Sequence, residues 1–419
     1  MKSEIESMPM KSSNKNSQDV PSGYKRTEIG VVPKDWEVLP IKKCVKNIIS
    51  GGTPSTNVSK YWVGDIPWIT GVDIVEQKLT NIRRYICNEA IINSSTNIVG
   101  KNNLLVVTRT GVGKIAIAPF RVAISQDLTG LECIPEEINT YFLFHWLNFS
   151  MYSITKLTQG TSINGVTKDV LIEHLVPKPG LKEQKAIAEA LSDLDSLIES
   201  LDKLIHKKKA IKKAAMQQLL TGDTRLPGFT EPWETKRLGD FAEIIMGQSP
   251  SSVNYNTSGY GMPLIQGNAD IINRKTVKRI YTTEVTKRGK HGDIIMSVRA
   301  PVGEISFATF DTCLGRGVCA IRYKNNFLYY YLISIEPKWS KWSKGSTFDS
   351  INSKEIKELP INIPPSIDEQ KAIAKVLSDM DDEIEALEKR KEKTEQMKQG
   401  MMQQLLTGKI RLSTLEETL

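Results

Sequence analysis

Chemistry-bearing residues are scarce in this sequence. Its four histidines (His145, His174, His206, His291) stand beside no serine or cysteine in the order of a catalytic triad, so nucleophilic hydrolysis finds no support. The five cysteines (Cys44, Cys87, Cys133, Cys313, Cys319) form no Cys-x-x-Cys pair. Neither a metal site nor a disulfide framework follows from them, and reduced, buried or incidental thiols are expected. No apolar run approaches the ~18 residues of a membrane span. Residues 1–22 lack the apolar stretch of a secretory signal and are expected to form a polar, flexible extension of a cytoplasmic protein. Thr110-Gly111-Val112-Gly113-Lys114 ends as phosphate loops do, yet Ile115 stands where Ser or Thr would bind magnesium and Thr108 where the first glycine belongs. Asn362-Ile363-Pro364-Pro365 lacks the aromatic residue with which amino-methyltransferases hold an extruded base. The chain is expected to have no active site, no metal and no cofactor of its own.

What is present is ample globular material with a charge bias. The 419 residues are 40% hydrophobic and 25% charged, enough for two or three domains with real cores. Lysine and arginine outnumber the acids by 56 to 48, with a net charge of +8. That excess suits a polyanionic partner, since phosphate contacts release counterions.

The chain is written twice. Glu-Gln-Lys-Ala-Ile-Ala occurs at Glu183–Ala188 and at Glu369–Ala374, and Gln-Gln-Leu-Leu-Thr-Gly at Gln217–Gly222 and Gln403–Gly408. Both pairs lie 186 positions apart, a register that marks an internal repeat. Ahead of these blocks the halves match more loosely. Gly51-Gly52-Thr53-Pro54-Ser55 echoes Gly247-Gln248-Ser249-Pro250-Ser251. Pro67–Gly71 echoes Pro263–Gly267, and the Arg109 turn echoes the Arg299 turn. Two diverged heads on near-identical connectors suggest one job done on two targets.

The connectors read as helices. Residues 181–220 hold no Gly or Pro, and Ile187, Leu191, Leu194, Ile198, Leu201 and Ile205, continuing to Leu219, alternate at three and four. Ile373, Leu377, Met380, Ile384 and Leu387, then Met401 and Leu405, repeat the seam. Gly222 and Gly408 are the expected stops. Later seam positions are polar: Lys208 and Lys212, then Lys391, Thr394 and Lys398. Parallel pairing would stack lysine on lysine, so an antiparallel pair is expected, with each lysine stem covering an apolar residue and its ammonium reaching outward.

The heads read as mixed α/β. Leu104–Thr108 and Asp293–Val298 resemble strands running into glycine turns, and Tyr141–Ser150 and Phe327–Ile335 short aromatic helices. Candidate DNA-facing groups in the first head are Thr53, Ser55, Lys60, Arg83, Arg84, Lys101 and Arg109. In the second they are Gln248, Ser249, Arg274, Lys275, Lys278, Arg279, Arg299 and Arg316. Arginine suits guanine edges and all the cations suit phosphate. Arg109 and Arg299 stand out at corresponding strand ends. Trp36, Trp68 and Trp233 are expected to pack rather than stack on bases.

Tyr24–Glu37 (Tyr-Lys-Arg-Thr-Glu-Ile-Gly-Val-Val-Pro-Lys-Asp-Trp-Glu), Ser50–Pro54, Asp65–Ile69 and both repeated hexapeptides together resemble the specificity subunits of type I restriction–modification systems, across nearly the whole chain after residue 23. The resemblance implies an α/β fold: two mixed α/β target-recognition domains joined by two long antiparallel coiled-coil helices in a pseudo-twofold repeat. The expected boundaries are a 1–22 extension, recognition domains at 23–180 and 223–366, helices at 181–222 and 367–411, and a 412–419 tail. Also implied are double-stranded DNA, two modification subunits and two restriction subunits as partners. Those partners would carry S-adenosylmethionine, ATP and magnesium, while this chain stays non-catalytic. Other readings are the separated recognition half of a fused methyltransferase–endonuclease, and a DNA-independent coiled-coil scaffold.

Overall fold

The computed structural model describes residues 20–109, 112–158, 166–338 and 350–412. Most of the N-terminal extension, Thr110 and Gly111 of the rejected phosphate loop, and the tail from 413 lie outside the described residues. The chain divides into two compact units: Met1–Ser200 with Lys391–Leu419, and Leu201–Arg390. Each unit holds one head, the beginning of one connector helix and the end of the other.

Both connectors are helical, over Leu181–Leu219 and Ile367–Leu405, at 39 residues each. Each stops at a glycine in the left-handed region, Gly222 at φ 81° and Gly408 at φ 69°, where a side chain would be strained. Within the first unit, Ile187, Ala188 and Leu191 share a core with Leu405 and Leu406. Within the second, Leu219 and Leu220 share one with Ile373, Ala374 and Leu377. The start of one helix thus lies against the end of the other in both units, and the pair is antiparallel. Of the expected seam, Leu194, Ile198, Met380, Leu387 and Met401 are half-buried; Ile187, Leu191, Leu201, Ile205, Leu219, Ile373, Leu377, Ile384 and Leu405 are buried.

The polar seam positions differ from the expectation. Lys212 pairs with a carboxylate: its ammonium meets Asp381 Oδ1 at 2.5 Å and lies over the Tyr330 ring at 5.3 Å. Lys398 meets Asp195 Oδ1 at 2.6 Å, and Lys208 meets Glu383 at 2.6 Å. With the Lys212 and Lys398 side chains 17% and 16% exposed, a carboxylate partner offsets a desolvation that an apolar neighbour could not.

The repeated hexapeptides are explained by what they hold. Glu183 accepts from Trp36 Nε1 at 3.1 Å and binds Arg411 through two nitrogens at 2.7 and 2.8 Å. Glu369 likewise accepts from Trp233 Nε1 at 3.3 Å and from Arg225 at 2.6 and 2.7 Å. The neighbouring glutamines donate to the carbonyls just ahead of each helix, Gln184 to Pro179 and Gln370 to Pro364, both at 2.8 Å. The same arginine–glutamate–tryptophan clamp therefore closes each unit. Trp36 and Trp68 are buried and Trp233 half-buried, as packing residues.

Each head is built on two larger sheets, accompanied by short two-stranded pairs. In the first, Val45–Ser50, Leu104–Val107, Ile115–Ile117 and Leu128–Cys133 form one antiparallel sheet, and Ile66–Ile69, Arg84–Ile86, Asn97–Val99 and Val122–Ile124 the other. The run Leu104–Val107 is buried on both faces. Leu104 and Val106 enter the core shared with the connectors, while Leu105 and Val107 enter the core between the sheets. Burial on both sides explains its unbroken apolar character. Ile294, Met296 and Ile295 divide the same way in the second head. Its sheets are larger, six and five strands. The first aromatic helix runs longer than its sequence limits suggest, Thr140–Thr158, with Phe142, Leu143, Trp146 and Leu147 inward. The second spans Phe327–Ile335 as expected.

Candidate nucleic-acid interface

The two sheets of each head meet at one rim. In the first head the ends of Val45–Ser50, Ile66–Ile69, Leu104–Val107 and Val122–Ile124 converge on the turn Ser125–Asp127, which carries the chain from one sheet to the other. Ser50 pairs with Thr129, Ile69 with Ile124, and Val107 with Leu128. Three backbone bonds tie the loops to this turn: Gly52 N–H to Ile124, Ser125 N–H to Ile69, and Thr108 N–H to Asp127, at 2.8–2.9 Å. The second head repeats all three, Gln248 to Leu314, Gly315 to Ile265 and Val298 to Gly317, again at 2.8–2.9 Å.

Glycine is required for this closeness. A Cβ on Gly51 would overlap the Ser125 carbonyl oxygen, and one on Gly247 the Gly315 carbonyl oxygen. The Gly-Gly-Thr-Pro and Gly-Gln-Ser-Pro loops are thus backbone-packed platforms that present their next residues at the rim.

The sequence candidates separate into two groups. Thr53, Ser55 and Arg109 lie on the first rim, and Gln248, Ser249, Arg299 and Arg316 on the second. Ser55, Arg109, Gln248, Arg299 and Arg316 are exposed. Among the described residues, Arg109, Arg299 and Arg316 have no side-chain partner. Arg299 is further fixed through its backbone by a bridge to Ser350.

The remaining candidates are engaged elsewhere or lie apart from the rim. Lys60 pairs with Glu89 at 2.5 Å. Arg83 pairs with Asp73 at 2.5 Å; burial works to raise that carboxyl's pKa, but hydrogen bonds from Arg83 and Thr70 outweigh it and hold it below the usual range. Arg84 lies over Trp62 and Trp68, 5.6 and 5.8 Å from their ring centres. Lys101 sits in the turn before Leu104, at the opposite end of that strand from the rim. Arg274 makes a two-nitrogen pair with Glu336 at 2.6 and 2.8 Å, whose hydrogen bonds hold its guanidinium above its ordinary pKa against burial. Arg279 bonds the Ala269 carbonyl at 2.7 Å and Asp270 at 3.5 Å. Lys278 lies 5.1 Å from the Phe310 ring centre. Lys275 meets Glu385 of the connector at 2.9 Å, as Lys78 meets Glu199 in the first unit. These two pairs fasten heads to connectors.

Residue spacing alone does not single out the turn at Ser125–Asp127. The available signal is faint: Arg109 and Arg299 lie 190 positions apart, and so do Gln126 and Arg316.

Among the described residues no His, Cys, Asp or Glu cluster could hold a metal ion, and no helix is long and apolar enough to cross a membrane. Burial pushes the Cys44 and Cys133 thiols up to about 11 and Cys319 to about 12, so these are packing residues rather than nucleophiles.

A doubled two-sheet head with a loop rim, set on antiparallel connectors, defines a paired recognition protein. The sequence profile of the type I restriction modification DNA specificity domain matches residues 33–211 and again 230–396; the chain belongs to this family, the specificity subunits of type I restriction–modification systems, whose role is DNA recognition rather than catalysis. It is 34% identical to the putative type I restriction enzyme MjaX specificity subunit of Methanocaldococcus jannaschii, over 93% of this chain and 97% of that one. A solved structure described as showing complex assembly and conformational transition of the type I R-M system matches with a TM-score of 0.56 and 25% identity, covering 90% of this chain and 99% of the other. The type I restriction–modification S subunit from M. genitalium shares the fold, with a TM-score of 0.62, 17% identity, and coverage of 88% and 96%.

Proposed function

We propose that each head reads one half of a split duplex DNA target through its rim, and that the connectors set the unread spacer between the halves. The observation that carries this reading is the repetition of one rim architecture, bond for bond, on heads whose exposed side chains differ. Same scaffold with different contacts is what two half-sites of different sequence require. In this reading the recognition domains are residues 23–180 and 223–366, and the connector segments that carry the helices are 181–222 and 367–411. The positive charge supplies sequence-independent phosphate affinity.

In this reading the chain is the non-catalytic core of a cytoplasmic prokaryotic complex. Two modification subunits dock on it, bind S-adenosylmethionine and methylate an extruded adenine. Two restriction subunits add ATP- and magnesium-dependent cleavage.

The test is a single-molecule methylome of cells carrying the partner modification subunit, with and without this chain. A split, asymmetric motif that gains methyladenine only with the chain present is the expected result. Unchanged methylation, with the chain expressed and bound to its partner, would instead favour a DNA-independent scaffold. Methyl transfer by the purified chain alone would revive the fused-enzyme reading.

A further inference from the structure

We propose that Gln126 and Arg316 are corresponding base-reading residues, Gln126 selecting an adenine in the first half-site and Arg316 a guanine in the second. The inference rests on the DNA-reading role above and names two residues that set the sequence read.

Both residues occupy the middle of the turn where the sheets meet: Ser125-Gln126-Asp127 in one head, Gly315-Arg316-Gly317 in the other. Both side chains are exposed, and both turns are pinned by the same three backbone bonds. Each is also held by the hydroxyl residue two places after the close-packed glycine. Thr53 Oγ donates to Gln126 Oε1 at 2.5 Å, and Ser249 Oγ accepts from the Arg316 backbone N–H at 3.1 Å. At Gln126 the hydroxyl holds the side chain itself and at Arg316 the backbone from which the side chain projects; ordering of either kind before DNA arrives reduces the entropy lost on binding.

The chemistry left open on each is the chemistry of base readout. With Thr53 on one lone pair of Oε1, Gln126 keeps the other lone pair and its Nε2 donors, among the described residues. That is the acceptor–donor pair that meets adenine N6 and N7 in the major groove. Arg316 has its whole guanidinium open among the described residues, and two of its N–H groups match guanine O6 and N7. Lys275, Arg274 and Arg83 cannot serve as readers in this way, because carboxylates already hold them.

The test uses the complete complex with its modification subunit. The wild-type motif is first read by methylome, and then Q126A, R316A and the exchanges Q126R and R316Q are compared. Discrimination is measured by competition with duplexes altered one base pair at a time. Q126A should lose roughly 5–150-fold discrimination at one A·T pair of the first half-site and leave the second unchanged. R316A should do the same at one G·C pair of the second half-site. Q126R should move the preference at its position toward guanine, and R316Q toward adenine.

Uniform weakening on every duplex, with a shallower salt dependence, would make these phosphate contacts and overturn the assignment. So would unaltered half-sites in all four variants while the wild-type motif stays split. A wild-type chain that directs no methylation would remove the recognition reading itself, a separate result visible before any variant is made.

Discussion

Removing Arg225 should destabilise the second unit far more than neutralising its partner Glu369. The Glu369 side chain is fully buried and Arg225 is 23% exposed. Arg225→Met strands a carboxylate in the core with, among the described residues, only the Trp233 indole left as donor. Stranding a buried charge costs about 3–5 kcal/mol. Glu369→Gln keeps an acceptor for Trp233 and leaves a guanidinium that can turn toward water, so only the charge-assisted bonds are lost, about 1.5–3 kcal/mol. The double variant should cost less than the two singles together, because the second change removes the charge that the first left unpaired. The assay is native-state hydrogen exchange with peptide-resolved mass spectrometry. Opening of residues 201–390 reports the effect, and the first unit, closed by Arg411 and Glu183, serves as internal control. Equal losses for Arg225→Met and Glu369→Gln, or full additivity in the double variant, would refute the account of the clamp.

Acid should loosen the first unit before the second. Burial pushes His145 and His174 down to about 4, so the unfolded chain binds protons that the folded one refuses. Stability is full above about pH 6.5 and falls as pH drops toward 4, by about 2 kcal/mol per histidine at pH 5. His145→Gln, which can keep the Ser192 contact, should remove its share; exchange profiles at pH 7 and 5 check this. Gly51→Ala and Gly247→Ala should each cost about 1–3 kcal/mol through forced backbone shifts. Each should blur only the half-site of its own head, as a methylome would reveal. Inserting two helical turns in both connectors adds about 10 Å and should lengthen the methylated motif's spacer by about three base pairs without altering either half-site; retention of the original spacer would separate the helices from that role.

What was legible in the sequence follows from which interactions are local. The connectors were readable as helices with starts at 181 and 367, because a three-and-four seam is a short-range signal; they end at Leu219 and Leu405, short of 222 and 411. Their pairing direction could be inferred from Lys212 and Lys398, although the reason differed: Asp381 and Asp195, which look like solvated surface acids in the sequence, neutralise them. The role of the repeated Glu-Gln dipeptide was hidden, since Arg411 lies 228 positions from Glu183. The rim was half-visible. Its glycine loops could be found by echo, but the turn at Gln126 depends on which strands meet, and strand pairing across distant positions leaves little local trace. Among the basic candidates, composition could not tell Arg83 or Arg274, already held by acids, from Arg109 and Arg299.

The division of the helices between units bears on synthesis. Residues 201–390 are contiguous, so the second unit can close once they have emerged from the ribosome. The first unit's core includes Leu405 and Leu406, with the half-buried Leu412 packed against it, and its clamp needs Arg411. The head made first is therefore the last to finish, waiting roughly 10–40 s at ordinary rates of translation with part of its helix seam uncovered. A chain that ends at residue 390 holds all of the second unit but lacks Leu405, Leu406 and Arg411 of the first unit's core and clamp.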